Sequence, residues 1–176
     1  MALDIDISSI FASTFGYTPK NFKVPNQPAN NRRGTSYYGN ASYNTSYFMA
    51  VKIGTLELYN PVISISSKKT IVQTPLVYRS GSVKELVSKD DFKINIKGII
   101  IRDDNIFPDN EISELVDLYN RNAALPIYCA LTSLVFSEGE TVVITDLSFP
   151  ATPGTQNIQA YEMNLISDLK FILNKA

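Results

Sequence analysis

Histidine is absent from this sequence, and cysteine occurs once, at Cys129. The first absence removes the commonest general base and the commonest metal ligand together. The second excludes intrachain disulfides and thiolate metal clusters. A charge excess is also missing, since sixteen basic residues stand against seventeen acidic ones, a net −1. That balance excludes a bulk electrostatic affinity for nucleic acid or anionic lipid. No apolar run approaches the roughly 18–20 residues that a membrane-crossing helix needs. The composition thus points away from metalloenzymes, Ser-His-Asp hydrolases and disulfide scaffolds. What is there is a chain of 176 residues, 44% hydrophobic and 19% charged. That suits one domain, or one domain with an arm.

The chain opens Met1-Ala2-Leu3-Asp4-Ile5-Asp6, with acid where a signal peptide needs a positive region. The expectation is a protein made in a cytoplasm and not secreted. Sequons at Asn40 and Asn44 lie in an Asn/Ser/Thr-rich stretch, where chance matches are common. Ile7, Ile10, Phe11 and Phe15 fall at helical spacing, Gly16 is placed to stop a helix, and Asp4 or Asp6 could cap its start. The same segment also alternates as a strand would, but a short helix over 5–15 is the preferred reading.

Residues 17–46 change character. Pro19, Pro25 and Pro28 break regular structure, and Asn26 to Tyr47 holds no Leu, Ile, Val, Met or Phe. Such a stretch lacks the apolar area to offset its ordering entropy. Its tyrosines, Tyr37, Tyr38, Tyr43 and Tyr47, still make it unlike a plain linker, because tyrosine offers large contact area with a polar tip. Arg32 and Arg33 are its charges. The segment reads as a solvated loop or as an arm that orders on a neighbouring subunit. Two arginines are too few for a nucleic-acid track.

From 47 onward the reading is one β-rich domain with a single main helix. Asn60-Pro61 and Arg79-Ser80-Gly81-Ser82 mark turns, and Pro75 ends a strand that begins at Lys68 or pushes it to an edge. Phe92, Ile94 and Ile96 alternate with Lys93, Asn95 and Lys97, which predicts a strand buried on one face. Gly98 then suggests a bulge or a close backbone approach, and Ile99-Ile100-Ile101 is apolar on both faces. Ile112, Leu115, Val116 and Tyr119 form a helical stripe over about 109–122, with Asp109 or Asn110 as cap. Ala130 to Phe136 is a strand or a turn of helix, Ser137 to Glu140 a hairpin turn, and 141–149 and 158–168 are strands. Leu169-Lys170-Phe171-Ile172-Leu173 is too apolar to hang free, which makes Phe171 and Ile172 interface candidates. The fold class is α+β: mainly antiparallel sheet, as sandwich or partial barrel, with one packed amphipathic helix, a short N-terminal helix and an extended arm.

No constellation promises chemistry. Cys129 sits in apolar context without a base and reads as a core thiol. The acids between Asp103 and Glu111 do not follow a calcium-loop spacing; a solvated loop and helix cap account for them, with a bound cation as the alternative. Nothing places two carboxylates across a cleft. Lys68, Lys69, Lys93 and Lys97 read as ordinary exposed strand lysines. No cofactor, metal, nucleic acid or membrane partner is expected.

The order of elements carries a resemblance. Gly81-Ser82-Val83-Lys84-Glu85-Leu86-Val87 is followed by Asp91 to Gly98, a helix over Glu111–Tyr119 and Asn122-Ala123-Ala124-Leu125-Pro126-Ile127. The strands Val142–Phe149 and Ile158–Asp168 close the series. This resembles small tail and baseplate proteins of bacteriophages, including an uncharacterised family of phages and prophages of gut bacteria. Ile10 to Tyr17 is similar to that family's start. More distantly, the order looks like that of tail-completion proteins of contractile-tailed phages. The resemblance implies a non-enzymatic virion subunit at the baseplate or the tube–baseplate junction. Its implied partners are other tail proteins and further copies, in a ring or symmetric assembly. Arg32, Arg33, Tyr37, Tyr38, Tyr43, Tyr47, Phe171 and Ile172 are the candidate contacts. A tail-terminator or neck protein, a β-rich ligand-binding module and a carboxylate enzyme are the rival readings.

Overall fold

The computed structural model describes residues 7–19, 50–78, 80–102, 104–136, 141–154 and 156–168. The chain runs α1 (Ile7–Phe15), β1 (Val51–Ile53), β2 (Leu56–Glu57), β3 (Val62–Ser66), β4 (Lys69–Pro75), β5 (Ser82–Lys89) and β6 (Lys93–Ile101). It continues as α2 (Asp109–Tyr119), β7 (Leu125–Cys129), α3 (Thr132–Val135), β8 (Thr141–Ser148) and β9 (Ile158–Asp168). Seven strands form one sheet in the order β2-β1-β7-β8-β9-β6-β3, and every pair is antiparallel. Among the described residues the sheet does not close, and β2 and β3 are its two edges. The α+β, mainly antiparallel sheet expected from the sequence is therefore what forms, with no closed barrel among the described strands.

The longest strand is the interior strand β9, which pairs with β6 over nine residues and with β8 on its other side. Alternation explains its burial. Tyr161, Met163 and Leu165 enter one core with Ile94, Ile96 and Ile100 of β6. Helix α2 covers this face with Leu115 and Leu118, each worth about 1.5–3 kcal/mol when fully buried. The opposite face is split. Toward the Ile101 end it is apolar, and Phe11 of α1 packs there on Ile99, Ile101, Ile158 and Ala160. Toward the Lys93 end it is polar, with Asn95 donating to Glu162 Oε1 at 2.7 Å and Asn164 Oδ1 at 2.8 Å. The two-sided isoleucine run thus has a helix on each side.

Several local expectations hold, with corrections. Gly16 stops α1 at φ +79°, its N–H donating to Ala12 O. Asn60 turns the chain into β3 at φ +40° and donates to Ile99 O at 3.0 Å. Gly98 makes no bulge, since the β6–β9 register runs unbroken through it. It is instead a close approach, described below. Helix α2 stops at Tyr119 rather than 122, and no side chain caps its start: Pro108 holds the cap position and Asp109 is already helical. Its buried side chains are Leu115 and Leu118, while Tyr119 is 41% exposed. The segment after β7 is a short helix, not a strand. The possible caps Asp4 and Asp6 and the turn at 137–140 lie outside the described residues.

Candidate assembly surface

Strands β4 and β5 leave the sheet. Among the described residues they pair only with each other, from Lys69↔Lys89 to Pro75↔Ser82, with a register shift between Thr70 and Ile71. The base is fastened where Asp90 N–H donates to Lys68 O at 2.9 Å and Thr70 Oγ1 donates to Asp90 Oδ1 at 3.0 Å. Lys89 Nζ sits 4.4 Å from the centre of the Phe92 ring. Beyond that base, nearly every hairpin residue is exposed.

The register decides what each hairpin face presents. Cross-strand partners share a face, and so do residues two apart. Ile71 and Leu86 therefore lie together on one face, with Gln73 and Lys84 beside them. Val72, Glu85, Thr74 and Val83 share the other. Both faces carry exposed branched apolar side chains, and Leu86 and Val87 are 62% and 63% exposed. The turn carries Val77 at 81% and Tyr78 at 102%, the latter held at φ +61°. An isolated two-stranded hairpin in water is marginal at best. Exposed apolar side chains in this number make the hairpin the candidate contact surface.

A second exposed apolar site lies in the loop from β6 to α2, at Ile106 and Phe107. Here Arg102 organises the acids. Its Nε and Nη2 donate to Asp104 at 3.1 and 2.6 Å, and Nη1 lies 3.6 Å from Asp109 and 3.5 Å from Glu111. The hydrogen bond from Arg102 holds the Asp104 carboxyl below its ordinary range, and the guanidinium is raised in return. Arg102 thus places one positive charge among Asp104, Asp109 and Glu111. Among the described residues, no group of three His, Cys, Asp or Glu side chains is placed to hold a metal.

An open groove of about 540 Å³ runs beside the end of α2, lined by residues that include Tyr119, Arg121, Asn122, Val143, Ile144 and Asp168. Among its described lining residues, Asp168 is the one carboxylate. Cys129 is buried, and burial pushes its thiol up. Among the described residues, no helix is long and apolar enough to cross a membrane.

Arg32, Arg33, Tyr37, Tyr38, Tyr43, Tyr47, Phe171 and Ile172 lie outside the described residues. The structure instead brings forward residues that sequence reasoning had placed in ordinary strands and turns. The signal was Leu76-Val77-Tyr78, an apolar triplet directly before a turn.

The described chain is thus an antiparallel sheet with open edges and a projecting hairpin that carries exposed apolar side chains. Residues 57–176 match the family described as a domain of unknown function, DUF6046, and the chain belongs to that family. No curated protein sequence matches it. Among solved structures, it is similar to the sheath–tube complex of the extracellular contractile injection system PVC in its extended state. That match has 18% identity and a TM-score of 0.44, over 70% of this chain and 86% of that one. It is also similar to the Dit (gp 19.1) protein of phage SPP1, described as a hub adsorption apparatus protein of phages infecting Gram-positive bacteria. There the identity is 11% and the TM-score 0.43, over 67% of this chain and 49% of that one. One neighbour is part of a contractile injection system and the other of a phage adsorption apparatus.

Proposed function

We propose that this chain is a structural, non-enzymatic subunit of a phage tail, at the baseplate or the tube–baseplate junction. It holds its neighbours through the β4–β5 hairpin and the open sheet edges. The observation that carries this reading is the hairpin, whose apolar side chains on both faces have no cover within the described chain. Exposed strands and paired apolar faces suit docking between neighbours or sheet extension across a subunit boundary. The phage setting comes from the sequence resemblance. The Tyr-rich segment 26–47 and Phe171 and Ile172 are further contacts under this reading.

The test is replacement of residues 70–88 by a short glycine-containing turn in a host producing particles from this gene. The expected result is a folded chain, with unchanged circular dichroism, that is missing from purified particles by mass spectrometry. Normal incorporation of the shortened chain would overturn the assembly reading. Localisation of the wild-type chain at the neck, rather than the distal end, would favour a terminator role.

A further inference from the structure

We infer that the hairpin of one copy seats on the opposite end of a second copy, against the loop between β6 and α2, so that copies join head to tail. The inference rests on the assembly reading and names its partner.

The near-zero net charge hides a segregation. Residues 68–89 contain five basic side chains and one acidic one. Residues 102–117 contain one basic side chain, Arg102, and six acidic ones. The two segments lie at opposite ends of β6. At its Lys93 end, β6 pairs with Ser66, and the hairpin starts there. At its Ile101 end, the chain enters the acidic loop. Nine strand residues at roughly 3.3 Å each set the two about 30 Å apart.

Each end also pairs its charge with exposed apolar surface. The hairpin has Leu86, Val87, Val77 and Tyr78 among its lysines. The loop has Ile106 and Phe107 between Asp104 and Asp109, whose side chain is 73% exposed. Apolar contact would supply affinity, and opposite charge would steer and fix the register. Hairpin against hairpin would instead set lysine against lysine. Two different complementary patches on one molecule make a heterologous contact, which closes into rings or continues as a filament, unlike a two-fold dimer.

The experiment is sedimentation velocity on the full chain at 50 and 500 mM NaCl, at several protein concentrations. One variant, Lys84→Glu/Lys89→Glu, makes the hairpin acidic. A second, Asp109→Lys/Asn110→Lys, makes the loop basic. Wild type should associate more strongly at low salt. Each variant alone should weaken association by at least about tenfold, and an equimolar mixture of the two should restore it. Neutral forms, Lys84→Gln/Lys89→Gln and Asp109→Asn, should weaken it less, and they replace any charge-reversed variant that does not fold. A wild type that stays monomeric in every condition would overturn the inference, as would variants that associate as wild type does. If the wild type is monomeric but the hairpin-replaced chain is missing from particles, a different protein receives the hairpin and the assembly reading survives. If the hairpin-replaced chain incorporates normally, both readings fall.

Discussion

The ring of Tyr161 lies across Gly98. The two residues are partners in the β6–β9 ladder, and a Cβ built on Gly98 would overlap Cζ and Oη of the tyrosine. That placement lets the phenol donate to Tyr59 O at 2.8 Å, while Tyr59 Oη donates to Glu114 Oε2 of α2 at 2.7 Å. The missing side chain at 98 thus joins the sheet centre, the turn before β3 and the covering helix.

Gly98→Ala should destabilise the fold by about 1–3 kcal/mol through overpacking. It should cost about 1 kcal/mol more if the Tyr161 hydrogen bond is lost. Urea unfolding measures this. Tyr161→Leu opens the space, so the double variant should be more stable than the two separate losses added together. Strict additivity would mean that the two residues do not share the site.

Stability should fall on the alkaline side through Tyr161. Burial raises its phenol well above the ordinary 10.0. The folded state therefore retains a proton that the unfolded chain gives up. The contribution is fully present below about pH 10 and is lost as pH rises from there toward the folded value, by up to about 1.4 kcal/mol per pH unit. Tyr161→Phe should be less stable at neutral pH but show a shallower alkaline decline. Parallel declines would assign the effect to other groups.

Cys129 should resist thiol reagents in the folded chain. It is 6% exposed, and its thiol is raised by burial, so little reactive thiolate is present. Mass spectrometry after iodoacetamide treatment at pH 8 should find no label without urea and complete labelling in urea. Rapid labelling of the folded chain would contradict the packing around β7.

Leu115→Ala and Leu86→Ser should behave in opposite ways. Leu115 is 0% exposed beneath α2, so its truncation should cost about 2–5 kcal/mol in thermal or urea melts. Leu86 touches water over most of its surface, so Leu86→Ser should change stability by no more than about 0.5 kcal/mol. A large loss at Leu86 would show that the hairpin packs against its own chain.

How much of this was legible varies by element. The β6 alternation could be read because one face is core and the other polar, so Ile94 and Ile96 separate cleanly from Lys93, Asn95 and Lys97. Ile99-Ile100-Ile101 announced two covered faces, and α1 and α2 supply them. The α2 stripe was less determinate. Positions 112, 115, 116 and 119 and positions 112, 115 and 118 both satisfy helical spacing, and only the packed sheet selects the second. The hairpin surface was not legible, because Ile71, Val72 and Val83 have the same residue chemistry whether their own sheet or another subunit covers them. Only its apolar turn hinted at exposure.

The interior place of β9 also constrains how the molecule is made. Residues 158–168 sit between β6 and β8 and pair with both. During synthesis, every earlier strand leaves the ribosome before the one that joins them. Until then β6 and β8 have unsatisfied backbone edges, and any premature stop before residue 158 leaves a chain inclined to stick to whatever is nearby.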